Sequence, residues 1–323
     1  MPPPACIVVL NYNGRMLLER FLPSLVKTDY QPLEVVVVDN ASTDDSVAWL
    51  QANWPQVTVL ALSENRGWSG GNNAGARYAL EKGHRYLIFA NNDIEPHPGW
   101  VREAVKLATA HPEFGMIGFE VHNMELSRPA FEAACRKLET ARWHEVRDVM
   151  GCSLFCDATV FKAIGFFDET YRFYVDETDF EYRVLQAGWR GAELNVPVWH
   201  LSEASVRTLG WQRGYLQMRN DIRFRVKLGG WRATLISVMN VLNHACNPWL
   251  RWDSEKEPWK DRYRLASWPV NAALALAAIG WNVLHLPQTR RAGRADLERI
   301  ARHRSMGAGS RHCCADATRS VSD

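Results

Sequence analysis

An α/β fold, built on a mostly parallel, twisted, Rossmann-like sheet with helices on both faces, is the fold class that this sequence predicts. Apolar runs in the first 119 residues read as strands that are buried on both faces. Segments with helical periodicity separate these runs, as in doubly wound sheets. Polar residues gather directly after the strands, which is where ligands bind in such sheets.

The predicted elements alternate in order along the first half of the chain. The strands are Cys6–Leu10, Leu33–Val38, Val57–Ala61, Tyr86–Ala90 and Gly115–Phe119. The helices are Leu17–Leu25, Asp44–Asn53, Gly70–Lys82 and Gly99–His111. The second helix has candidate N-caps in Ser42, Thr43 and Asp44. This alternation is typical of strand–helix–strand units in a parallel sheet.

The chain after residue 119 is less regular. Residues 120–146 show no clear period, and we expect a variable substrate loop or an exposed connection there. A strand and a helix follow in 147–165, an acidic helix in 166–189 and a short strand at Val196–His200. An amphipathic helix begins at Trp211, and beyond Gly230 the pattern is helical.

The length of 323 residues fits one large α/β domain and an appendage. We divide the chain into an α/β domain over residues 1–228, a helical region over 229–304 and a disordered tail over 305–323. The uncharged stretch 267–289 is long enough for a spanning helix, but Asn271, Asn282 and His285 interrupt it. We expect a helix at a membrane surface, with a span and a core helix as alternatives.

Composition and charge exclude some classes of function. The net charge of +2 gives no indication of a nucleic-acid partner. Between Arg207 and Arg232, seven basic residues accompany one acidic residue, Asp221, which suits phosphate or an acidic membrane surface, or a solvated helix face. Seven irregularly spaced cysteines indicate free thiols in a reducing compartment. No signal peptide is expected, which favours the cytoplasm.

Four successive strand ends carry polar residues. They are Asn11 and Asn13, then Asp39 and Asn40, then Asn65 and Arg66, and finally Asn91, Asn92 and Asp93. One such end is an ordinary turn, because Asn and Asp bond to nearby backbone groups. Four at one edge of a sheet predict a ligand site.

A glycine-rich stretch, Gly67–Gly75, lies between the third and fourth strands. Gly67 and Gly71 would let the backbone approach a phosphate, and a helix N-terminus favours anions. Asn72 is either a ligand contact or a helix cap. The spacing differs from GxGxxG, which counts against a nicotinamide or flavin enzyme.

An acidic cluster follows later, with Asp176, Glu177 and Asp179. A carboxylate of this kind can take a proton from a hydroxyl group, and neighbouring carboxylates raise each other's pKa values. Acidic residues also favour a helix N-terminus, and we expect this structural role for Asp179.

These motifs together resemble glycosyltransferase family 2, and most closely its bacterial rhamnosyltransferase-like branch. The segments that carry the resemblance are IVVLNYNG, VVVVDNASTDDS, NRGWSGGNNAGARYAL, LIFANNDIEP, GFFDETYRFYVDETDFEYRVLQAGW and VWH. They span about residues 5–228. The resemblance implies the GT-A fold, with a donor half over about 1–119 and an acceptor and catalytic half over about 120–228.

The resemblance also implies a reaction and its partners. The donor would be a nucleotide-diphosphate sugar, such as dTDP-rhamnose or a UDP-sugar, and the cofactor Mn²⁺ or Mg²⁺. The sugar would pass with inversion to a glycan or lipid-linked glycan of the cell envelope. The enzyme would then work as a peripheral protein on the inner face of the cell membrane. The sequence makes no prediction about an oligomeric state.

Roles in the donor half follow from the family's motifs. Asp39 would recognise the base, and Asn65 and Arg66 would touch the base or ribose. Asp93 would bind the metal, while Asn91 replaces the first acidic residue of the family's DxD motif and would lie near the ribose. Because an amide is a weaker metal ligand, metal affinity should be low before the nucleotide binds.

Roles in the acceptor half are less sharply assigned. Asp176 is the preferred catalytic base and Glu177 the second choice. His200 is either the last metal ligand or a structural histidine. Arg219, in YLQMRND, would meet the leaving diphosphate.

Two other readings stay open. A sugar-nucleotide nucleotidyltransferase would carry a Gly-rich loop after the first strand, where this chain has NYNGRM. A non-catalytic glycan- or nucleotide-binding protein is disfavoured by the intact Asp39, Asp93 and acidic cluster.

Overall fold

The computed structural model describes residues 2–124, 127–202, 211–246 and 267–317. Within these ranges, nine strands form one mixed sheet. They are β1 (Ala5–Asn11), β2 (Leu33–Asp39), β3 (Thr58–Ala61), β4 (Tyr86–Asn91), β5 (Ile94–Pro96), β6 (Phe114–Asn123), β7 (Trp143–Val146), β8 (Ser153–Asp157) and β9 (Arg190–His200).

The strand order is β3-β2-β1-β4-β8-β6-β9-β5, with β7 also pairing with β9. The first four strands in this order are parallel, as predicted. Strand β8 runs antiparallel to both β4 and β6, so the second half of the sheet is mixed. There β6 and β9 are parallel, and β5 and β7 run antiparallel to β9.

Helices cover both faces of the sheet. They are α1 (Arg15–Val26), α2 (Ser46–Asn53), α3 (Gly67–Glu81), α4 (Trp100–Ala110), α5 (Arg128–Lys137), α6 (Ala158–Ile164), α7 (Asp176–Gln186), α8 (Trp211–Phe224), α9 (Gly230–Cys246), α10 (Trp268–Leu284) and α11 (Leu286–Ala317). A π-helical turn, Arg225–Gly229, joins α8 to α9.

The alternation of β1 explains why its sequence is apolar throughout. Ile7 and Val9 point to one face and pack in a core with α1 and α4. Cys6 and Val8 point to the other face and pack in a core with α3, α6 and α7. Because successive side chains of a strand alternate between faces, a strand covered on both faces needs apolar residues at every position.

The predicted strands and helices of the first half are confirmed, with small shifts at their ends. Residues 120–146, predicted to be irregular, contain the end of β6, helix α5 and strand β7. Helix α5 buries only Phe131, and β7 is largely exposed, so neither leaves a strong hydrophobic pattern. Strand β5 is three residues long and directly follows the polar end of β4, which is why it was missed.

The C-terminal helices form a small core of their own. Met218 and Ile222 of α8 pack against Val241 of α9 and against Ala275 and Ala278 of α10. Helix α11 returns to the α/β domain, where Ile300 joins the core that contains α6 and α7. The domain division at residue 228 stays a prediction.

The uncharged stretch 267–289 is broken at His285 rather than continuous. In the described part of the chain, no helix taken alone has the length and apolar composition of a membrane span. Trp268–Leu284 and Leu286–Met306 meet these criteria only as a pair, with a bend of 66° between them.

The tail was predicted to be disordered from residue 305, but α11 continues to Ala317. Alanine and arginine are frequent in the preceding part of this helix, and both favour helical structure. Residues 318–323 of the predicted tail lie outside the described residues.

Candidate functional site

The polar ends of neighbouring strands meet at one edge of the sheet. Strand β1 lies between β2 and β4, so Asn11 stands between their ends. Its Nδ2 donates to Asp39 Oδ1 at 3.0 Å, and its Oδ1 accepts from Asn92 Nδ2 at 2.8 Å. The structure therefore brings three of the four predicted strand ends into one hydrogen-bonded group.

Asp39 is buried and oriented by Ser42. The Ser42 amide donates to Asp39 Oδ2 at 2.9 Å, and the Ser42 hydroxyl donates to Oδ1 at 2.6 Å. Since a carboxylate oxygen has two lone pairs, Oδ2 keeps one for a further donor. Asn13 stabilises the same turn, because its Oδ1 accepts from the Thr43 amide at 2.7 Å. Ser42 was predicted only as a candidate helix cap, and its hydrogen bonds to Asp39 were not predicted.

Asn40 ties the second strand end to the third. Its Oδ1 accepts from the Arg66 amide at 2.9 Å, and its Nδ2 donates to Asn65 Oδ1 at 3.1 Å. Arg66 was expected at the base or ribose, but its guanidinium donates to Glu169 Oε2 at 2.6 Å. Glu169 was not identified from the sequence because no local pattern links it to Arg66.

Two of the glycines have a packing reason to be glycine. Gly67 has φ of +70°, and a Cβ there would lie 2.6 Å from the Arg172 carbonyl oxygen. A Cβ on Gly71 would lie 2.2 Å from Leu10 Cδ1, so this glycine lets α3 pack closely on β1. Their predicted role in phosphate approach stays a prediction. Asn72 is buried, and its Oδ1 has no hydrogen-bond partner among the described residues.

The two predicted metal ligands are neighbours. Strand β5 begins directly after Asp93 and pairs with the end of β9, which places His200 beside it. His200 Nε2 lies 3.3 Å from Asp93 Oδ1 and 3.4 Å from Asn91 Nδ2. Asn123, at the end of β6, contacts His200 Nδ1 through its Oδ1 at 2.9 Å and orients the ring. Asn123 was not identified from the sequence because the predicted strand ended at Phe119, whereas β6 continues to Asn123.

The donor atoms at this position fit a divalent cation. Burial alone would lower the pKa of the His200 imidazole, but hydrogen bonds to Asp93 and Cys152 raise it to about 10. Without a cation the two side chains therefore form an ion pair, and metal binding must displace a proton. Within the described residues, no three His, Cys, Asp or Glu side chains converge as a complete metal site. Further ligands would have to come from the donor or from water.

We therefore expect Mn²⁺ to bind weakly to the nucleotide-free protein and much more tightly when a nucleoside diphosphate is present. Calorimetric titration with Mn²⁺ alone, and then with saturating nucleotide, measures this difference. Asp93→Asn should remove the effect of the nucleotide. Tight, stoichiometric Mn²⁺ binding without nucleotide would contradict a site with only two protein ligands.

The acidic pair lies at the start of α7, and its two members differ in environment. Asp176 is buried, and its Oδ2 accepts from Ser69 Oγ at 2.8 Å. Burial, followed by the charge of Glu177 and a hydrogen bond to it, raises the pKa of Asp176 well above its ordinary value. Glu177 is only half-buried. The structure therefore favours Glu177 as the carboxylate that meets an acceptor, and Asp176 as its protonated neighbour.

The segment before α7 adopts an unusual backbone conformation. Arg172, Tyr174 and Val175 have φ values of 66°, 64° and 68°. Side chains disfavour this left-handed region, and a β-branched valine disfavours it most. Such strain persists only where the surroundings hold the backbone in place.

Arg219 and Asn220 of α8 provide that restraint. Asn220 Nδ2 donates to the carbonyls of Phe173 at 2.7 Å and Tyr174 at 3.0 Å. Arg219 Nη2 donates to the carbonyl of Thr170 at 2.8 Å. Arg219 was expected at the leaving diphosphate, but its guanidinium is engaged by this loop. Asn220 belongs to the same sequence motif as Arg219, but no separate role was predicted for it.

Asp179 has a structural role, as expected, but it acts as a buried ion-pair partner rather than only as an acidic residue at a helix N-terminus. It accepts from Arg183 Nε at 2.8 Å and from Lys227 Nζ at 2.7 Å. Lys227 also lies 3.0 Å from Asp168 and 2.8 Å from Asp296 of α11. Asp168, Asp179, Arg183, Lys227 and Asp296 form the Lys227 cluster, in which all but the partly buried Asp168 are buried, and this cluster joins α7 to the C-terminal helices.

Comparison with known proteins agrees with this geometry. Residues 6–149 match the sequence model of glycosyl transferase family 2. A relative from Mycobacterium tuberculosis, N-acetylglucosaminyl-diphospho-decaprenol L-rhamnosyltransferase, is 25% identical in an alignment 218 residues long that covers 57% of this chain and 71% of the relative.

Solved structures show the same fold at lower identity. The mannosyltransferase PcManGT from Pyrobaculum calidifontis, in complex with GDP-Man and Mn²⁺, matches with a TM-score of 0.55 and 17% identity, covering 94% of this chain and 87% of its own. GalNAc-T7 with UDP, GalNAc and Mn²⁺ matches with a TM-score of 0.58 and 15% identity, covering 87% and 57%. Residues 6–149 therefore match glycosyltransferase family 2, the chain has the GT-A fold, and a rhamnosyltransferase is among its relatives.

Proposed function

We propose that the chain is an inverting, metal-dependent glycosyltransferase that moves a sugar from a nucleotide-diphosphate donor to a glycan or lipid-linked glycan. One observation carries this proposal: the cation ligands and the acidic pair flank the same short segment. His200, one of the two cation ligands, hydrogen-bonds to the side chain of Cys152. A Cβ on the preceding residue, Gly151, would lie 3.5 Å from Glu177 Cδ. The two groups can therefore act on one substrate pair.

The residues divide the chemistry between them. Asp93 and His200 would hold the divalent cation, which when bound would neutralise charge on the leaving nucleoside diphosphate. Glu177 accepts the proton of the acceptor hydroxyl, and the hydroxyl oxygen attacks the anomeric carbon as the bond to the diphosphate breaks. Asp176 keeps its own proton and hydrogen-bonds to Glu177, which holds that carboxylate in place. A single displacement of this kind inverts the anomeric carbon.

The donor class rests on two supports. The free lone pair of Asp39 Oδ2 suits the ring N–H of a pyrimidine base, as in dTDP or UDP. A relative is a rhamnosyltransferase. We propose dTDP-rhamnose as the first donor to test and UDP-sugars as the second.

Attachment to the inner face of the cell membrane is supported by the surface of α9 and α10. Apolar side chains stand exposed on both helices: Trp231, Leu235, Ile236 and Met239 on α9, and Leu276, Val283 and Leu284 on α10. Arg232 and Arg290 adjoin them in sequence. A helix with exposed apolar residues and flanking cations suits an anionic membrane surface.

The experiment is a panel of dTDP-, UDP- and GDP-sugars with Mn²⁺ and a sugar-diphosphate lipid, in which release of nucleoside diphosphate is followed. We expect release from one pyrimidine nucleotide sugar, stimulated by the acceptor. Formation of pyrophosphate with a nucleoside triphosphate and a sugar phosphate would indicate a nucleotidyltransferase. Binding of nucleotide sugars without any turnover would indicate a binding protein.

A further inference from the structure

A polar cavity of about 720 Å³ lies between the start of α7 and the helices α8 and α9. Glu177 and Thr178 line it on the side of α7. The facing polar side chains come from α8, the π-helical turn and α9, and they are Gln217, Asp221, Arg225, Ser237 and Asn240. The described strand-end residues do not contribute to this lining, so the cavity is distinct from the donor side of the site.

We infer that this cavity binds the polar headgroup of a lipid-linked acceptor, a sugar joined to a lipid through a diphosphate. The inference rests on the proposed function. Its first support is Glu177, which lines the cavity and is the carboxylate placed to take the acceptor's proton. A hydroxyl group bound here would lie on the acceptor side of that carboxylate.

The second support is the chemistry of the walls. The amide of Asn240 and the hydroxyl of Ser237 offer both donors and acceptors, which sugar hydroxyls require. The Gln217 amide adds an acceptor oxygen, while its Nε2 donates to Asp221 at 3.3 Å. Arg225 is exposed and carries the positive charge of the lining, and a guanidinium pairs well with a diphosphate. The cavity therefore combines hydroxyl recognition with one site for a phosphate group.

The third support is the apolar surface that adjoins the cavity. Ile236 lines the cavity and is 59% exposed, and Met239, three residues further along α9, is 60% exposed. The lipid chain that extends from the bound headgroup would pass over these side chains toward the membrane. An apolar groove on the opposite flank of α9, lined by Trp231, Thr234 and Leu235, has no carboxylate in its lining and does not reach Glu177.

Filling the cavity tests the inference. Ser237→Trp places a large side chain in the cavity, and Thr234→Trp is the matched control, on the same helix but facing the opposite groove. We expect Ser237→Trp to raise the KM for a short-chain lipid diphosphate carrying one N-acetylhexosamine at least tenfold. Nucleotide affinity and slow hydrolysis of the donor by water should stay at the wild-type level in both variants.

Arg225→Gln distinguishes recognition of the diphosphate from recognition of the sugar. It also tests the inference if the tryptophan variant fails to fold. It should raise the KM for the diphosphate acceptor and change little for the same sugar as a simple alkyl glycoside. If Ser237→Trp, Thr234→Trp and wild type had equal acceptor KM values and intact donor hydrolysis, the cavity would not be the headgroup site. The proposed function would still stand. If the wild-type protein neither bound nor hydrolysed any donor, both the assignment of the cavity and the proposed function would be overturned.

Discussion

Glu177→Gln lowers the kcat of sugar transfer by about 10²- to 10⁴-fold, the range expected when a general base is lost. The glutamine has nearly the same shape but cannot accept the proton of the acceptor hydroxyl. Because Asp39 is held by Asn11 and Ser42 rather than by Glu177, the affinity for nucleoside diphosphate should not change. Turnover is measured as release of nucleoside diphosphate, and nucleotide affinity is measured by calorimetry.

Asp176→Asn is the matched control for this variant. Burial and the neighbouring charge raise the pKa of Asp176 and so favour its protonated form, for which an uncharged amide of the same size is a close substitute. We expect a far smaller loss of kcat than for Glu177→Gln. If Asp176→Asn were inactive and Glu177→Gln active, Asp176 would be the base, as the sequence motif first suggested.

Lys227→Met destabilises the protein by about 3–5 kcal/mol, the cost of breaking a buried ion pair by removal of one partner. The ammonium group contacts Asp168, Asp179 and Asp296, and the methionine would leave these buried carboxylates without their shared cation. Urea denaturation at pH 7 measures the change. Arg232→Met, which removes an exposed cation from α9, should change stability by no more than about 0.5 kcal/mol.

The effect of Lys227→Met should shrink as the pH falls. Burial would raise the pKa of Asp168, but Lys227 and Arg223 hold it well below its ordinary value. The stability that this group contributes is present above the ordinary carboxyl pKa and is lost as the pH falls toward the lowered one. Without Lys227, Asp168 takes up its proton at a higher pH. Its protonation relieves the repulsion among the carboxylates of Asp168, Asp179 and Asp296. A difference from wild type that widened between pH 7 and pH 4 would contradict this explanation.

Local patterns predicted well which polar strand ends meet at one edge of the sheet. Apolar runs fixed the strands, and the parallel arrangement of β1, β2 and β4 then brought their polar ends together. Asn11 bonds to Asp39 and Asn92 for that reason alone. The order of β8 and β6 in the sheet was not predictable, since a short strand carries no local signal of which neighbour it pairs with or in which direction.

Residues whose partners lie far away in the sequence were harder to assign. The amide of Asn220 donates to carbonyls of a loop near residue 173, and Arg66 pairs with Glu169. Neither contact produces a periodic pattern in the sequence. The choice between Asp176 and Glu177 depends on how α7 is rotated against Ser69, which the composition of the motif does not specify. Tertiary packing decided each of these cases.

The most direct test of a reaction site shared by Asp93, His200 and Glu177 is release of nucleoside diphosphate from the cognate donor. It is followed in one assay for wild type and Glu177→Gln, with Mn²⁺ and with chelator. We expect turnover only for wild type with Mn²⁺, while Glu177→Gln still binds the nucleotide with wild-type affinity. Turnover by Glu177→Gln at the wild-type rate, or undiminished wild-type turnover in chelator, would contradict this mechanism.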